Sequence, residues 1–410
     1  MTSISACHVM AKPASNICNL NCEYCFYLDK APLRSENNRG WQMSEETLEL
    51  YVKQHIAAQQ GHLVEFTWQG GEPSMRGLDF FKKAIALSKQ YADGKQIHHS
   101  FQTNGIGLDS EWARFLAKND VLVGLSIDGP QAIHDTYRVS RSGRGSYQQV
   151  VDALSLLKEY DVRFNVLTVV GSHNAESGAE VYEHFRELGI KYIQFIPIVE
   201  RVASRQSGVH LCQPGDAVGE MAPFSVDANQ FGQFLCDVFD IWVRRDVGDV
   251  FVQAFDATLA SWCGQPSGIC VHSAECGHAF ALEANGDLFQ CDHFVYPEYK
   301  LGNIHQQTIR QLNNSKEAIA FGQNKRASLN ASCQQCTYRF ACHGGCPKHR
   351  FSTSEQGHPH HNYLCGGYQQ YYRHTEPFMK IMRDLLKMQK APSDIMSFLQ
   401  LHYPTPVSKQ

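Results

Sequence analysis

Cys18, Cys22 and Cys25 form a C-x3-C-x2-C motif just after a short apolar segment. Three thiolates leave a tetrahedral site one ligand short, whereas a structural zinc would want four protein ligands. A [4Fe–4S] cluster held by three cysteine thiolates keeps one iron free for a small molecule. A zinc knuckle lacking a ligand is the weaker reading. Eight more cysteines follow in the C-terminal half. Cys270, Cys276 and Cys291 come first, with Cys276-x14-Cys291 spanning a predicted hairpin at Asn285-Gly286. Cys333, Cys336, Cys342 and Cys346 then give C-x2-C-x5-C-x3-C, and Cys365 stands alone beyond them. Eight thiolates divide into two complete four-cysteine sites. Two zinc ribbons would satisfy that count as well, but iron–sulfur clusters can also accept and pass electrons.

The fifteen cysteines leave Cys7, Cys212, Cys236 and Cys263 without a site. Cys236 reads as a small core residue of an amphipathic helix. His272, His278, His293 and His343 crowd the cysteines. Each site already has its ligands, so these histidines read as neighbours or surface residues. Gly70-Gly71-Glu72-Pro73, in TWQGGEP, offers two glycines that let backbone approach a ligand and a carboxylate that can accept from an ammonium. Alone it could be an ordinary turn.

Positioning these groups requires a scaffold, and strand-like apolar segments recur at His8–Met10, Val64–Trp68, Ile97–Gln102, Leu122–Ile127, Phe164–Val170 and Tyr192–Val199. Helical periodicity lies between them. One helix is predicted to start after Ser44 as N-cap, with Glu45 and Glu46 in its first turn. Others run from near Ser146 and over Ala179–Leu188. Strand–helix alternation implies parallel strands joined by crossovers. Six such units predict an open, partial (β/α)6 barrel, smaller than the closed eight-unit form, with chemistry at the C-terminal strand ends. The motifs fall there.

Residues 200–228 read as an irregular connection, followed by a helix at Ala228–Arg245. From about residue 250, Cys, Gly and His become dense and periodicity weakens, as in a small domain held together by metal sites. The expected division is a barrel at 1–228, a linking helix at 229–250, a cluster-bearing domain at 251–375 and a C-terminal helical segment at 376–410. A formal charge of −4 argues against a general nucleic-acid binder. The sequence has no long apolar run for a membrane span and no secretory signal, so cytoplasmic residence is the expectation. In that compartment spaced cysteines suggest metal binding or catalysis before disulfides.

The first motif resembles the radical S-adenosylmethionine superfamily. That resemblance implies a cofactor bound at the free iron, Tyr24 packed near its adenine, and Gly70, Gly71 and Glu72 near its methionyl amino group. It also implies that Ser126, in GLSIDGP, contacts its ribose or carboxylate. Arg138, in HDTYRVS, is a candidate to pair with that carboxylate, although an Arg in a polar loop is usually solvated. The C-terminal spacing resembles the SPASM extension, which binds two auxiliary clusters. By that resemblance Cys270, Cys276, Cys291 and Cys346 hold one, and Cys333, Cys336, Cys342 and Cys365 hold the other, for three [4Fe–4S] clusters in all.

CNLNCEYCFY, TWQGGEP, SFQTNG, LSIDGP, QFIPIVER, CDHFVYPEY, LGN, ACHGGCPKHR and NYLCGGYQ together are similar to anaerobic sulfatase-maturating enzymes. The resemblance implies oxidation of a Cys or Ser in an unfolded sulfatase segment of Cys-x-Pro-x-Arg type to Cα-formylglycine. Net oxidation needs a base as the carbonyl forms. Asp292 is the candidate, because it directly follows Cys291 and would aim a carboxylate between the two domains. The family places its base in the same Cys-Asp pair. Tyr27, Gln69 and Gln102 are implied to line the substrate pocket, and a flavodoxin or ferredoxin is the expected electron donor. Two rival readings remain. One is a SPASM-domain maturase making a thioether, crosslink or epimer, for which a motif beginning at Cys18 leaves little room for the usual peptide-recognition domain. The other is a non-catalytic zinc-binding interaction protein.

Overall fold

Segments such as LVEFTW and FNVLTVV are rich in β-branched and aromatic side chains, which suit a pleated sheet buried on both faces. In the computed structural model, which describes residues 6–27, 42–205, 208–216 and 218–402, all six segments read as strands are strands. They are β1 (His8–Lys12), β2 (Leu63–Trp68), β3 (Gln96–Thr103), β4 (Leu122–Ser126), β5 (Phe164–Val170) and β6 (Tyr192–Pro197). They pair in parallel in that spatial order. The crossovers are α1 (Glu45–Ala58), α2 (Leu78–Gln90), α3 (Ser110–Lys118), α4 (Gln131–Tyr137) with α5 (Tyr147–Glu159), and α6 (Gly178–Glu187). Ser44 caps α1 as expected: its hydroxyl accepts from the Thr47 N–H at 3.0 Å, a contact of about 1 kcal/mol.

The segment read as irregular contains structure of its own. β7 (Arg201–Arg205), β8 (Gly208–Leu211) and β9 (Glu220–Met221) form a small antiparallel sheet in the order β8-β7-β9. RVASR and GVHL carry few large apolar residues, so their pairing leaves no periodic signal. Helix α7 (Ala228–Arg245) has the predicted bounds, and Phe231, Leu235, Val238, Phe239 and Trp242 on its apolar face are all buried. β10 (Phe251–Val252) and α8 (Gln253–Trp262) follow, with β10 pairing alongside β6.

The principal sheet does not end with the six-strand unit. β11 (Ala279–Glu283) joins β1 in parallel, and β12 (Asp287–Phe289) and β13 (Lys300–Asn303) continue antiparallel. The result is one ten-stranded sheet with two ends, β10 and β13. The Asn285-Gly286 turn joins β11 to β12, with Gly286 at φ 88°, a conformation that favours glycine. A long helix, Cys365–Lys387, begins inside the span expected for the cluster-bearing domain and packs against α7. Their crossing is so close that a Cβ on Gly367 would stand 1.9 Å from the Ala228 carbonyl oxygen. Among the described residues no helix is long and apolar enough to cross a membrane.

Candidate active site

The C-terminal ends of β2 to β6 surround a cavity of about 240 Å³. Cys18, Cys22 and Cys25 line it from the loop after β1, and Gln69, Gly70, Gly71 and Glu72 line it from the end of β2. Gln102, Ser126 and Arg138 contribute from β3, from β4 and from beyond α4. Asp292, His293, Lys348 and His349 close it from the other side. One cavity therefore joins the first cysteine motif to the residue after Cys291.

The two glycines of TWQGGEP have a different immediate cause from close approach to a ligand. A Cβ on Gly71 would fall 2.1 Å from the Ile17 carbonyl oxygen, and one on Gly70 2.8 Å from that of Ser15. Backbone N–H groups of Gly71 and Glu72 donate to Ser15 and Ile17 carbonyls, each at 2.7 Å. The segment thus clamps the loop that enters the cysteine motif. Glu72 is buried, and its carboxylate accepts from the Ser74 N–H, the Thr103 hydroxyl and the Asn104 N–H at 2.8–3.0 Å. Burial pushes its carboxyl up, and these donors pull it part of the way back.

Arg138 is not a solvated loop residue. It is buried, and its Nε and Nη2 donate to Asp128 at 2.9 and 3.3 Å. Tyr24 donates its hydroxyl to the same carboxylate at 2.6 Å, and the Arg138 guanidinium lies 5.5 Å over the Tyr24 ring. The partner visible for Arg138 is thus Asp128, from SIDGP, a residue that sequence reasoning passed over. Burial alone would raise the Asp128 carboxyl, but Arg138, His173 and His134 outweigh it and hold the group far below the usual carboxylate range.

Gln102 donates to the Ser126 hydroxyl at 3.2 Å. Gly124 makes room for it, since a Cβ there would meet Gln102 Oε1 at 2.2 Å. Tyr27, expected to line the pocket, lies one layer back. It is buried, its hydroxyl donates to Glu283, and its ring lies 4.5 Å beneath the Lys12 ammonium. Burial pushes the Tyr27 phenol well up, and the Glu283 charge adds to this.

Asp292 forms an ion pair with Lys12 through Oδ1. Burial raises its carboxyl, but Lys12, His293 and Lys348 more than offset this and hold it below the ordinary value. Lys12 and Glu283 are further residues that sequence reasoning missed. They sit opposite each other in the β1–β11 register.

The eleven motif thiols fall into three sets. The charges of Cys18, Cys22 and Cys25 act on one another. Those of Cys270, Cys276, Cys291 and Cys346 form a second set, and Cys333, Cys336, Cys342 and Cys365 a third. All four thiols of the third set line a single cavity beneath Tyr338, Tyr368 and Tyr372. Burial pushes Cys22 and Cys342 up to about 12 and Cys18, Cys346 and Cys365 up to about 11. Such buried thiols become thiolates when a metal supplies positive charge.

Among the described residues no group of three or more His, Cys, Asp or Glu is arranged to hold a single metal ion. The thiols of the first set and those of the third each face a shared cavity, an arrangement that fits the corners of a multi-iron cluster. N–H donors reach two of these sulfurs: Leu20 N to Cys18 at 3.4 Å, Asn104 Nδ2 to Cys18 at 3.6 Å and Gln369 Nε2 to Cys365 at 3.5 Å. The buried Arg350 responds to thiols of both the second and third sets. Cys7, Cys212 and Cys236 are buried thiols outside all three sets.

Comparison with known proteins agrees with this geometry. The radical SAM superfamily pattern matches residues 13–194, and the SPASM iron–sulfur cluster-binding domain pattern matches residues 274–337. A serine-type anaerobic sulfatase-maturating enzyme of Bacteroides thetaiotaomicron is 48% identical over 96% of this chain and 95% of its own length. A cysteine-type anaerobic sulfatase-maturating enzyme of Clostridium perfringens is 32% identical over 90% of this chain and 96% of its own length. The solved structure of native anSMEcpe with bound AdoMet superposes with a TM-score of 0.81 at 30% identity, covering 92% of this chain and 99% of that one. The same enzyme with bound AdoMet and Cp18Cys peptide gives a TM-score of 0.80 at 30% identity, covering 93% and 99%. A non-catalytic zinc protein is thereby set aside: with its radical SAM barrel and SPASM extension, the chain belongs to the anaerobic sulfatase-maturating enzymes.

Proposed function

We propose that this enzyme oxidises a serine or cysteine in an unfolded sulfatase segment to Cα-formylglycine, with Asp292 as the base. The observation that carries the reading is the shared cavity: Asp292 reaches from the SPASM side into the space lined by Cys18, Cys22 and Cys25. The three thiol sets would hold three [4Fe–4S] clusters, in the grouping given above. With these in place, S-adenosylmethionine at the free iron supplies hydrogen-atom abstraction, and the auxiliary clusters supply an acceptor for a further electron.

The chain's own residues do the rest. Tyr24 and Arg138 line the cavity beside the cysteine motif, both anchored from behind by the Asp128 carboxylate. Gln69 and Gln102 present amides to a peptide at the strand ends. As the target's Cβ loses a hydrogen atom and then an electron, its hydroxyl or thiol proton passes to the Asp292 carboxylate, and the carbonyl or thiocarbonyl forms. A thiocarbonyl product would then exchange sulfur for oxygen with water. The greater identity to a serine-type relative favours serine as the preferred target. A flavodoxin or ferredoxin would deliver the electron that starts each turnover, and the cytoplasm is the setting in which both the donor and an unfolded client are available.

Mass spectrometry of an anaerobic assay tests this. Reconstituted enzyme, S-adenosylmethionine and a strong reductant would be mixed with matched Ser-x-Pro-x-Arg and Cys-x-Pro-x-Arg peptides, and 5′-deoxyadenosine followed in parallel. Loss of two hydrogens at serine, or exchange of the thiol for an aldehyde at cysteine, is the expected result. If 5′-deoxyadenosine formed while both peptides stayed intact, the substrate assignment would fall.

A further inference from the structure

We infer that Lys12 is the positioning residue for the Asp292 carboxylate. This rests on the proposed role of Asp292 as base. Lys12 is the last residue of β1, and its side chain is 1% exposed. Lysine is almost never this buried unless its ammonium is fully engaged. Here Nζ pairs with Asp292 Oδ1, donates to Gln69 Oε1 at 3.1 Å, and stands over the Tyr27 ring. Tyr27 is held in turn by Glu283, which also accepts from the Ser15 hydroxyl at 3.0 Å. The ammonium is therefore fixed from below by an aromatic face and from the side by an amide.

It engages one Asp292 oxygen, leaving Oδ2 as the atom that receives the substrate's proton. The contact to Gln69 Oε1 holds the ammonium in place beside that carboxylate. Lys12 is the cation in ion-pair contact with Asp292, and His293 and Lys348 add to the positive surroundings of the carboxylate. A purely structural ion pair would predict that its loss weakens the fold and lowers every activity together. A positioning role predicts uncoupling. The hydrogen atom is still removed from the target, but proton loss to a misdirected carboxylate fails, and fewer oxidised peptides form per 5′-deoxyadenosine.

The test compares wild type, Lys12→Met, Asp292→Asn and the double variant as reconstituted holoenzymes, with iron content and visible spectra measured on each. For Lys12→Met, product per 5′-deoxyadenosine should fall on the order of 100-fold, as expected for a misplaced catalytic group, with the loss in kcat rather than in peptide KM. The double variant should be no worse than Asp292→Asn alone, because Lys12 acts through that carboxylate. A wild-type product ratio in Lys12→Met, or losses that multiply in the double variant, would overturn the inference. Should Lys12→Met fail to hold its clusters, Lys12→Arg keeps the charge but moves its donors. It should lower the ratio about tenfold, and an unchanged ratio would overturn the assignment. Product from wild type with an unaffected Lys12 variant sinks Lys12 alone, whereas no product from wild type sinks the functional reading and this inference together.

Discussion

The Asp128 carboxylate has no exposed surface and serves Arg138 and Tyr24 at once. Replacing it by Asn would leave the Arg138 guanidinium buried without a counter-charge, which costs about 3–5 kcal/mol. Thermal unfolding of Asp128→Asn should show that loss. The sign with pH follows from the depressed folded value. The contribution is fully present above the unfolded carboxyl pKa of about 3.9 and is lost only as pH falls below it. The gap in melting temperature between wild type and variant should thus stay level around neutral pH; a gap that closed near pH 6 would contradict the assignment. Asp128 and Lys12 were not legible in the sequence for one shared reason. A charged residue at a strand end reads as solvated until its partner is known, and the partner of Lys12 lies 280 residues away. The first cysteine set was legible because its spacing is local, whereas the division of the other eight, which separates Cys346 from its neighbours in C-x2-C-x5-C-x3-C, came from the resemblance to the SPASM extension. Glu72 was legible as a feature of the site, but its engagement by Ser74, Thr103 and Asn104 depends on a neighbouring strand.

Elements carry a different kind of constraint. Helix α7 and the helix Cys365–Lys387 meet at Gly232 and Gly367, where a Cβ on Gly232 would stand 2.6 Å from the Gly367 Cα. The second helix starts with Cys365, so its seating on α7 also seats that thiol in the third set. Gly367→Ala forces the helices apart against the Ala228 carbonyl and should destabilise by about 1–3 kcal/mol or more. Iron analysis of the variant should show less than the full cluster complement; wild-type stability and iron content would contradict this. Strands β1 to β6 and α7 were legible because their apolar residues repeat with the period of the element. The β7–β9 sheet was not, because short polar strands are defined by pairing, and pairing leaves no trace in a window of sequence.

At the scale of the whole molecule, the radical SAM and SPASM regions share one sheet. Five residues of β1 pair with five of β11, so β1 is an interior strand. A chain ending at residue 250 would strip that partner away and leave β1 as an unpaired edge, an invitation to association. Size-exclusion chromatography of such a truncation should show aggregate in place of monomer, and a well-behaved monomer would contradict the expectation. Nothing local announced this shared sheet: His8–Met10 read as the first barrel strand, and the chain around Asn285-Gly286 read only as a hairpin of the cluster-bearing domain.

The β1–β11 pairing has a consequence for tolerance to change. The loop bearing Cys18, Cys22 and Cys25 leaves β1, and the hairpin bearing Cys291 and Asp292 leaves β11 through β12. The spacing between the start of the chemistry and its finish is thus measured in rungs of a hydrogen-bond ladder, as on a ruler. Insertions in surface loops leave that ruler untouched, whereas a slip of one rung turns every side chain of the strand to the opposite face. It would carry Lys12 away from Asp292 in the same movement. Drift in loop length is therefore tolerable to such an enzyme, while the alignment of two five-residue strands is not.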